Sequence, residues 1–219
     1  MRTLVVGAAI VDLMMKVERL PKSGEDIPCK ETKTVVGGCA YNVANTLRNL
    51  KCEHDLCVPV GSGSFADIIR RGMKEKGYEP MITAIESETM GNLFALKPIL
   101  HINEAEAKGY TQKENVEEAV RALYEKSGNL VFVTLGAEGT LFYDGKEMRR
   151  VASVKTNVVD TVGAGDSHIG AIIAGMSKGM KVEDAVLLAN RTAAAIVGTS
   201  GPVMDLEEFQ KISEEWENE

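Results

Sequence analysis

A glycine-rich turn that ends in a carboxylate is the stretch of this sequence best suited to chemistry. Gly163, Ala164 and Gly165 lead into Asp166, and apolar residues then recur at helical spacing as far as Met176. The N–H groups at the start of such a helix attract anions, and glycines let a phosphate approach closely. Asp166 would repel a resting anion, so it is better suited to act as a general base toward an attacking hydroxyl. The alternative is structural, with Asp166 as a helix N-cap and the glycines as a tight turn.

A second pair of glycines precedes a polar side chain earlier in the chain. Gly37 and Gly38 are followed by small residues and by Asn42, one turn into a predicted helix. Two glycines allow the backbone to close on a ligand, and an Asn side chain can both donate and accept hydrogen bonds. Taken alone, the pattern is more typical of a strand-to-helix turn with tight packing.

Together, these two stretches resemble the two signatures of ribokinase-like (PfkB-type) carbohydrate and nucleoside kinases. The run Asp160–Asp166 reads D-T-V-G-A-G-D, and residues 37–44 read G-G-C-A-Y-N-V-A. The resemblance implies an ATP-dependent kinase that transfers the γ-phosphoryl group to a hydroxyl of a sugar or nucleoside. Asp166 would be the general base, and the amides of Gly163, Ala164 and Gly165 would stabilise charge on the transferred group.

The resemblance also implies which residues hold the acceptor and the nucleotide. An Asp at the end of the first strand binds substrate hydroxyls in the family, and Asp12 matches that position. The acceptor would therefore be held by Asp12, Gly37, Gly38 and Asn42. The expected nucleotide-side residues are Asn103, Thr134, Gly136, Gly139, Asn190 and Ala194. As isolated motifs, the loop at Gly136 would be only a turn, and the small residues near Asn190 would only pack against a neighbouring helix.

Two cation sites follow from the same resemblance. Asn103 and Glu106 match a pattern near the magnesium and phosphates, and they are expected to contact Mg²⁺ largely through water. The alternative is an N-cap Asn followed by an acidic first turn. Asp160 is expected beside a monovalent cation such as K⁺. His101 is interpreted as a packed strand residue, and His168 stands where many relatives carry an aromatic side chain, without an assigned role.

The order of predicted elements indicates the fold class. Strands alternate with helices, which is typical of an α/β protein with a mostly parallel central sheet and helices on both faces. The resemblance implies a single ribokinase-like domain over residues 1–219. Residues 13–36 alternate apolar and polar around a Pro-Lys-Ser-Gly turn, and we expect them to form a partial β lid.

The chain departs from the family in its middle. A second pair of lid strands is expected after Ile85, and around residues 86–94 a deletion or an omitted segment is predicted instead. A two-stranded ribbon alone is marginal in water and exposes its edges. We therefore expect the lid ribbon either to pair with a second copy, giving a homodimer, or to leave the chain working poorly.

Composition narrows the classes of partner. The 219 residues carry a net charge of −7 and a pI near 5.2, which argues against nucleic acid or an anionic membrane surface. The four cysteines lack zinc-ligand or C-x-x-C spacing and are expected to be reduced in the cytoplasm. The apolar run near the N-terminus is too short for a signal peptide or a membrane span.

Two other functions fit parts of the sequence. A degenerate kinase would bind its ligand without efficient turnover. The segment that is missing around residues 86–94 favours this alternative. The run Gly61-x-Gly63-x-x-Ala66, with Glu86 at a spacing suited to a ribose, could instead belong to an NAD-binding oxidoreductase. That hypothesis leaves both other signatures unexplained.

Overall fold

The computed structural model describes residues 3–22, 24–78, 97–199, 206–207 and 209–210. The strands are β1 Thr3–Val6, β2 Ile10–Lys16, β3 Glu31–Gly37, β4 His54–Cys57, β5 Leu100–Asn103, β6 Val131–Thr134, β7 Thr140–Tyr143 and β8 Met148–Val151. The helices are α1 Cys39–Asn49, α2 Ser64–Glu75, α3 Glu104–Thr111, α4 Val116–Ser127, α5 Ala164–Ser177 and α6 Val182–Val197. The predicted α/β class is confirmed.

The four-stranded sheet has the order β5-β6-β7-β8 and helices on both faces. The β5–β6 pair is parallel, whereas β6–β7 and β7–β8 are antiparallel. Side chains alternate along β6, so Val131 and Val133 pack with residues of α3 and α4. Phe132 points the other way and packs with Ala171 of α5 and Ala189 of α6. The sheet is thus enclosed between two helical layers, as the sequence predicts.

A second, two-stranded sheet pairs β1 with β4 in parallel. Val5 and Leu56 pack there against α1 and α2. The other face of β1 is open, since Leu4 is 58% exposed and Val6 is 59% exposed. In the described part of the chain, the core covers only the face that carries Val5.

The ribbon predicted over residues 13–36 is formed by β2 and β3, which are antiparallel. Its register places Asp12 opposite Val35, so Asp12 lies within a ribbon strand and not at the end of the first strand. The reason is that pairing already begins at Ile10, opposite Gly37. Leu13 and Met15, on one face of β2, are more than half exposed.

Some of the sequence predictions fall outside the described residues. These are Glu86 of the NAD hypothesis and the gap around residues 86–94. Among the residues that are described, no helix combines the length and the apolar character needed to cross a membrane.

Candidate active site

The two signature stretches meet at a direct side-chain contact. Asn42 lies in the first turn of α1, and Asp166 lies in the first turn of α5. The Nδ2 group of Asn42 donates a hydrogen bond of 2.9 Å to Oδ2 of Asp166, across 124 positions of sequence. Fold topology therefore brings the predicted base and a predicted acceptor-binding residue together.

Close backbone packing fixes the two helices in this arrangement. Gly38 is the N-cap of α1 with a φ of 98°, and a Cβ there would lie 2.7 Å from the carbonyl oxygen of Ala8. Within α5, a Cβ on Gly170 would lie 2.9 Å from the Cβ of Thr46 in α1. Glycine at both positions lets α1 approach the start of the ribbon on one side and α5 on the other. This approach is what allows Asn42 to reach Asp166.

The first turn of α5 presents N–H groups to open space. The helix has Gly163 as its N-cap, with a φ of 79°, and it has no side-chain cap. The alternative in which Asp166 serves as the N-cap is therefore wrong. The N–H of Ala164 donates to the carbonyl of Thr161 and that of Ser167 to the carbonyl of Gly163. The N–H groups of Gly165 and Asp166 find no acceptor within the described ranges, which is the arrangement that binds an anion.

The space around this turn also suits a ligand. A Cβ added to Gly165 would meet nothing within 4 Å, and Gly165 is exposed. The Oδ1 atom of Asn42 is buried and has no hydrogen-bond partner in the described part of the structure. An unpaired buried polar atom costs free energy, so it is a natural point for a donor group of a ligand to bind.

Cys39 is a site residue that sequence reasoning missed. Partial burial of its thiol, followed by the charge of Asp166 and a hydrogen bond to it, raises the pKa of Cys39. The thiol therefore stays protonated beside the carboxylate of Asp166. Its position at the first residue of α1, directly after Gly38, was the available signal.

The predicted nucleotide loop follows β6 and contains two glycines with different surroundings. Gly136 has a φ of 58° and is exposed, and a Cβ added to it would meet nothing within 4 Å. Gly139 is buried, and a Cβ on it would lie 2.7 Å from the amide nitrogen of Ser153. Gly136 is thus open to a ligand. At position 139, close packing against the segment after β8 is sufficient to explain why glycine is required. Thr134, half-buried at the end of β6, is the register partner of Asn103.

Asn103 and Glu106 form a helix cap. Oδ1 of Asn103 accepts the N–H of Glu106 at 2.9 Å, and Oε2 of Glu106 accepts the N–H of Asn103 at 3.1 Å. The alternative that Asn103 is an N-cap is therefore confirmed, and both side chains are nevertheless exposed to solvent. Each oxygen retains a lone pair, and oxygen donors acting through water suit Mg²⁺. Within the described ranges, no cluster of three His, Cys, Asp or Glu residues is arranged to hold a metal ion directly.

The turn before α5 is attached to the end of α6. Oδ1 of Asp160 accepts the N–H of Val162, and the N–H groups of Val159 and Asp160 both donate to the carbonyl of Val197. Asp160 therefore lies beside the segment that follows α6, where the resemblance implies a monovalent cation.

Asn190 lies in a buried polar network, which departs from the expected nucleotide contact. Its Nδ2 donates to the carbonyls of Val151 and Ala152, at 3.2 and 2.9 Å. Its Oδ1 lies 2.8 Å from Oγ1 of Thr140 and 3.0 Å from Nε2 of His168. Both protons and both lone pairs of the amide are occupied, so a direct nucleotide contact by this side chain would have to break one of these bonds. Ala194, one turn further along α6, is half-buried.

The same network includes both histidines that sequence reasoning left without a chemical role. Nε2 of His101 lies 2.9 Å from Nδ1 of His168. Burial lowers the pKa of His168 to about 4, against a smaller opposing effect of Asn190. Burial, followed by the charge of His168, lowers the pKa of His101 to about 3. Both rings are neutral at neutral pH.

Comparison with known proteins gives one family. Residues 2–89 and residues 78–208 match the model of the pfkB family carbohydrate kinases. An uncharacterized sugar kinase of Escherichia coli strain K12 is 25% identical over 285 residues, covering 90% of this chain and 89% of the relative. A cytidine kinase of Thermococcus kodakarensis is 35% identical over 101 residues, covering 45% of this chain and 36% of the relative.

Solved structures share the fold. A ribokinase of Thermotoga maritima has a TM-score of 0.74 at 19% identity, over 97% of this chain and 99% of that one. A ribokinase of Arabidopsis thaliana, complexed with ribose and ATP, has a TM-score of 0.73 at 19% identity, over 96% of this chain and 97% of that one. Phosphofructokinase-2 of Escherichia coli, in complex with potassium, has a TM-score of 0.79 at 16% identity, over 99% and 98%. The ribokinase-like fold predicted from the sequence is confirmed.

Proposed function

The chain belongs to the pfkB family of carbohydrate kinases and is an ATP-dependent carbohydrate kinase, and from that premise we propose a mechanism and a site. We propose that it transfers the γ-phosphoryl group of ATP to a hydroxyl of a sugar or a nucleoside, with Asp166 as the general base. The observation that carries the proposal is the 2.9 Å contact between Asn42 and Asp166, which unites the two signatures beside an open helix N-terminus.

The reaction needs a base next to a site for the transferred group. Asp166 takes the proton of the acceptor hydroxyl as its oxygen attacks the γ-phosphorus. The bond from the γ-phosphorus to the bridging β–γ oxygen breaks, and ADP leaves. The N–H groups of Gly165 and Asp166 lie at the positive end of the α5 dipole. They face the negative charge of the transferred phosphoryl group and stabilise it. Gly163 and Ala164 shape this turn.

Asn42 and its neighbours are proposed to hold the acceptor. The buried Oδ1 of Asn42 can accept a hydrogen bond from an acceptor hydroxyl, while its Nδ2 keeps the Asp166 carboxylate oriented. Asp12 in β2, with Gly37 and Gly38 at the junction of β3 and α1, would close the same pocket. The relatives include both a ribokinase and a cytidine kinase, so a sugar and a nucleoside are both reasonable acceptors.

The nucleotide would lie along the carboxyl ends of β5 and β6. Thr134 and Gly136 are the nearest candidates for phosphate contact, because Gly136 is open and Thr134 ends its strand. The other residues proposed for the nucleotide site are Gly139, Asn190 and Ala194. Asn103 and Glu106 are proposed to hold Mg²⁺ through water, and the ion would supply neutralisation of phosphate charge. Asp160, beside Val197, is the proposed monovalent-cation residue, with K⁺ as the candidate ion.

The short length of the chain bears on its lid. The alignment with the Escherichia coli sugar kinase is longer than the chain itself, so that relative contains residues without a counterpart here. This supports a deletion or an omitted segment, which we propose lies around residues 86–94 of a single domain over residues 1–219. The exposed Leu13 and Met15 on the ribbon support pairing with a second copy through the lid. We also propose a cytoplasmic location.

The test compares Asp166→Asn with the unmodified chain, using Mg–ATP and an acceptor panel of ribose, fructoselysine, cytidine and adenosine. Loss of a general base should reduce ADP formation coupled to acceptor phosphorylation by about 10²–10⁴-fold. Binding of ATP, measured by thermal shift, should be retained. Asp184→Asn is the matched control, because Asp184 is also in the first turn of a helix, α6, and is proposed to have no role.

The outcomes separate the competing functions. Turnover of Asp166→Asn close to that of the unmodified chain would overturn the base assignment. ATP binding without phosphorylation of any acceptor by the unmodified chain would favour the degenerate kinase. Stabilisation by NAD and not by Mg–ATP would favour the oxidoreductase, since a ligand at 100 times its Kd adds about 2.7 kcal/mol. Solution mass recorded in parallel reports whether the ribbon pairs with a second copy.

A further inference from the structure

Four side chains form a buried hydrogen-bonded network between the four-stranded sheet and helices α5 and α6. We call them the histidine network: His101 of β5, Thr140 of β7, His168 of α5 and Asn190 of α6. Thr140, His168 and Asn190 are 1%, 3% and 6% exposed. His168 is the centre, 2.9 Å from His101 through Nδ1 and 2.9 and 3.0 Å from Thr140 and Asn190 through Nε2.

The hydrogen bonds have one self-consistent direction. Because Nδ2 of Asn190 faces two carbonyls, its Oδ1 must be the acceptor that faces His168. Nε2 of His168 therefore carries the proton and donates, and Nδ1 of the neutral ring accepts. Nε2 of His101 must then carry a proton and donate to it. The network thus fixes the tautomers of both rings and the rotation of the His168 side chain.

Each member lies close in sequence to a proposed site residue on the same element. His101 precedes Asn103 by two residues, and Thr140 directly follows Gly139. His168 follows Asp166 by two residues, and Asn190 precedes Ala194 by one helical turn. The elements that carry the base, the nucleotide loop and the proposed magnesium residues are therefore joined by one set of directional bonds.

The geometry of α5 explains why such bonds matter for Asp166. Two residues on a helix are separated by roughly 200° around its axis, so His168 faces the sheet when Asp166 faces α1. Apolar contacts of Ala171 and Ile172 hold α5 against the sheet, but such contacts are non-directional. The hydrogen bonds of His168 are directional, and they set the rotation of α5 about its axis. That rotation determines where the Asp166 carboxylate and the neighbouring N–H groups point.

We propose that His168 is a positioning residue for phosphoryl transfer, acting through the rotation of α5 on Asp166. The proposal rests on the proposed function of Asp166 as the general base. It differs from a structural role in one measurable way. A positioning residue affects the transition state more than ground-state binding, so its loss lowers kcat while the KM for ATP stays nearly unchanged.

The test compares two substitutions of His168. His168→Phe keeps a ring of similar size and removes the hydrogen bonds of both ring nitrogens. His168→Gln keeps a donor and an acceptor that can reach Asn190 and His101. With Mg–ATP and with ribose or cytidine as acceptor, we expect kcat to fall by about 10–10²-fold in His168→Phe, since small misplacements of reacting groups have effects of this size. We expect His168→Gln to recover most of that loss.

His54→Phe is the matched control. His54 also makes two hydrogen bonds through its ring, to the carbonyl of Cys52 and to the hydroxyl of Tyr78, but it lies in β4. Its loss should lower the melting temperature without changing kcat. Should His168→Phe fail to fold, His101→Leu removes one bond at the half-buried end of the network, and kcat is expected to fall several-fold.

The possible results distinguish this proposal from the proposed function. If His168→Phe, or His101→Leu in its place, loses stability but keeps kcat while Asp166→Asn is inactive, the positioning role is overturned and the base assignment stands. If His54→Phe lowers kcat as much as His168→Phe does, the effect is general destabilisation and the positioning role is again overturned. If Asp166→Asn keeps full turnover, the proposed function itself fails, and this proposal fails with it.

Discussion

The Asn42–Asp166 pair and the histidine network are polar centres on two sides of α5, but they differ in how fully their groups are paired. In the network, the ring nitrogens of His168 and all of the hydrogen-bonding capacity of Asn190 are used within the described structure. At the pair, Oδ1 of Asn42 has no partner there, and the adjoining turn at Gly165 faces open space. A saturated centre stabilises a framework, whereas an incompletely paired one can bind a ligand.

The difference explains why the two centres must coexist. Asp166 belongs to the incompletely paired centre. The saturated centre holds the same helix, α5, through His168, two residues further along the chain. Binding groups that are left unpaired cost stability, so the neighbouring framework has to fix them. In this chain the framework is polar and directional on the sheet side of α5. On the α1 side it consists of close backbone packing at Gly170.

The largest effect that separates the two centres is expected from Asn42→Ala. Removing this side chain frees the Asp166 carboxylate and removes the proposed acceptor contact, so activity should fall by about 10²-fold. Stability should change little, since one hydrogen bond and one unpaired buried oxygen are lost together. The measurement is steady-state ADP formation together with thermal unfolding.

Asn45→Ala is the control for that prediction. Asn45 lies one turn further along α1, also has an Oδ1 without a partner among the described residues, and donates to the carbonyl of Tyr41 instead of to Asp166. Equal loss of activity in both variants would mean that α1 contributes only through packing, and the comparison between the two centres would fail.

A smaller effect is expected from Gly165→Ala. The new Cβ has open space in the structure, and alanine favours a helix over glycine by up to about 1 kcal/mol, so the protein should become slightly more stable. If phosphate binds against this turn, activity should nevertheless fall about tenfold, equivalent to about 1.4 kcal/mol of barrier. Unfolding and ADP formation are measured on the same preparation.

Gly109→Ala tests the specificity of that result. Gly109 is also a helical glycine, in α3, with nothing near a Cβ, and it is outside the proposed site. It should show the gain in stability without loss of activity. If Gly165→Ala is more stable and fully active, the turn does not bind phosphate.

The smallest effect concerns the saturated centre and pH. The folded-state pKa of His168 is about 4, below its ordinary value of 6.5, so the unfolded chain binds more protons in that interval. The stability that this ring contributes is fully present above pH 6.5 and is lost as pH falls toward 4. At pH 5.5 the loss from His168 should be about 1 kcal/mol.

Urea unfolding at pH 7.5 and 5.5 measures that loss, and His168→Phe should remove the His168 share of it. An unchanged pH dependence in His168→Phe would show that the ring titrates normally and that the network is not sealed from water. His54→Phe provides the comparison, since it removes a histidine outside the network.

The sequence by itself determined the parts that depend on local pattern. The glycine turn before Asp166 and the antiparallel ribbon over residues 13–36 follow from spacing and residue type, which act over a few neighbours. The two signatures were also sufficient for the family and its activity, because each requires particular residue types at fixed spacing.

Only the tertiary structure decided which distant groups meet. No local pattern could show that Asn42 reaches Asp166 across 124 positions, that Cys39 lies beside the same carboxylate, or that His101 and His168 join Asn190 in one network. It also placed Asp12 within a ribbon strand and enclosed Asn190 where a nucleotide contact had been expected. The physical reason is that side-chain partners are set by strand register and helix packing, which depend on contacts between segments far apart in the chain.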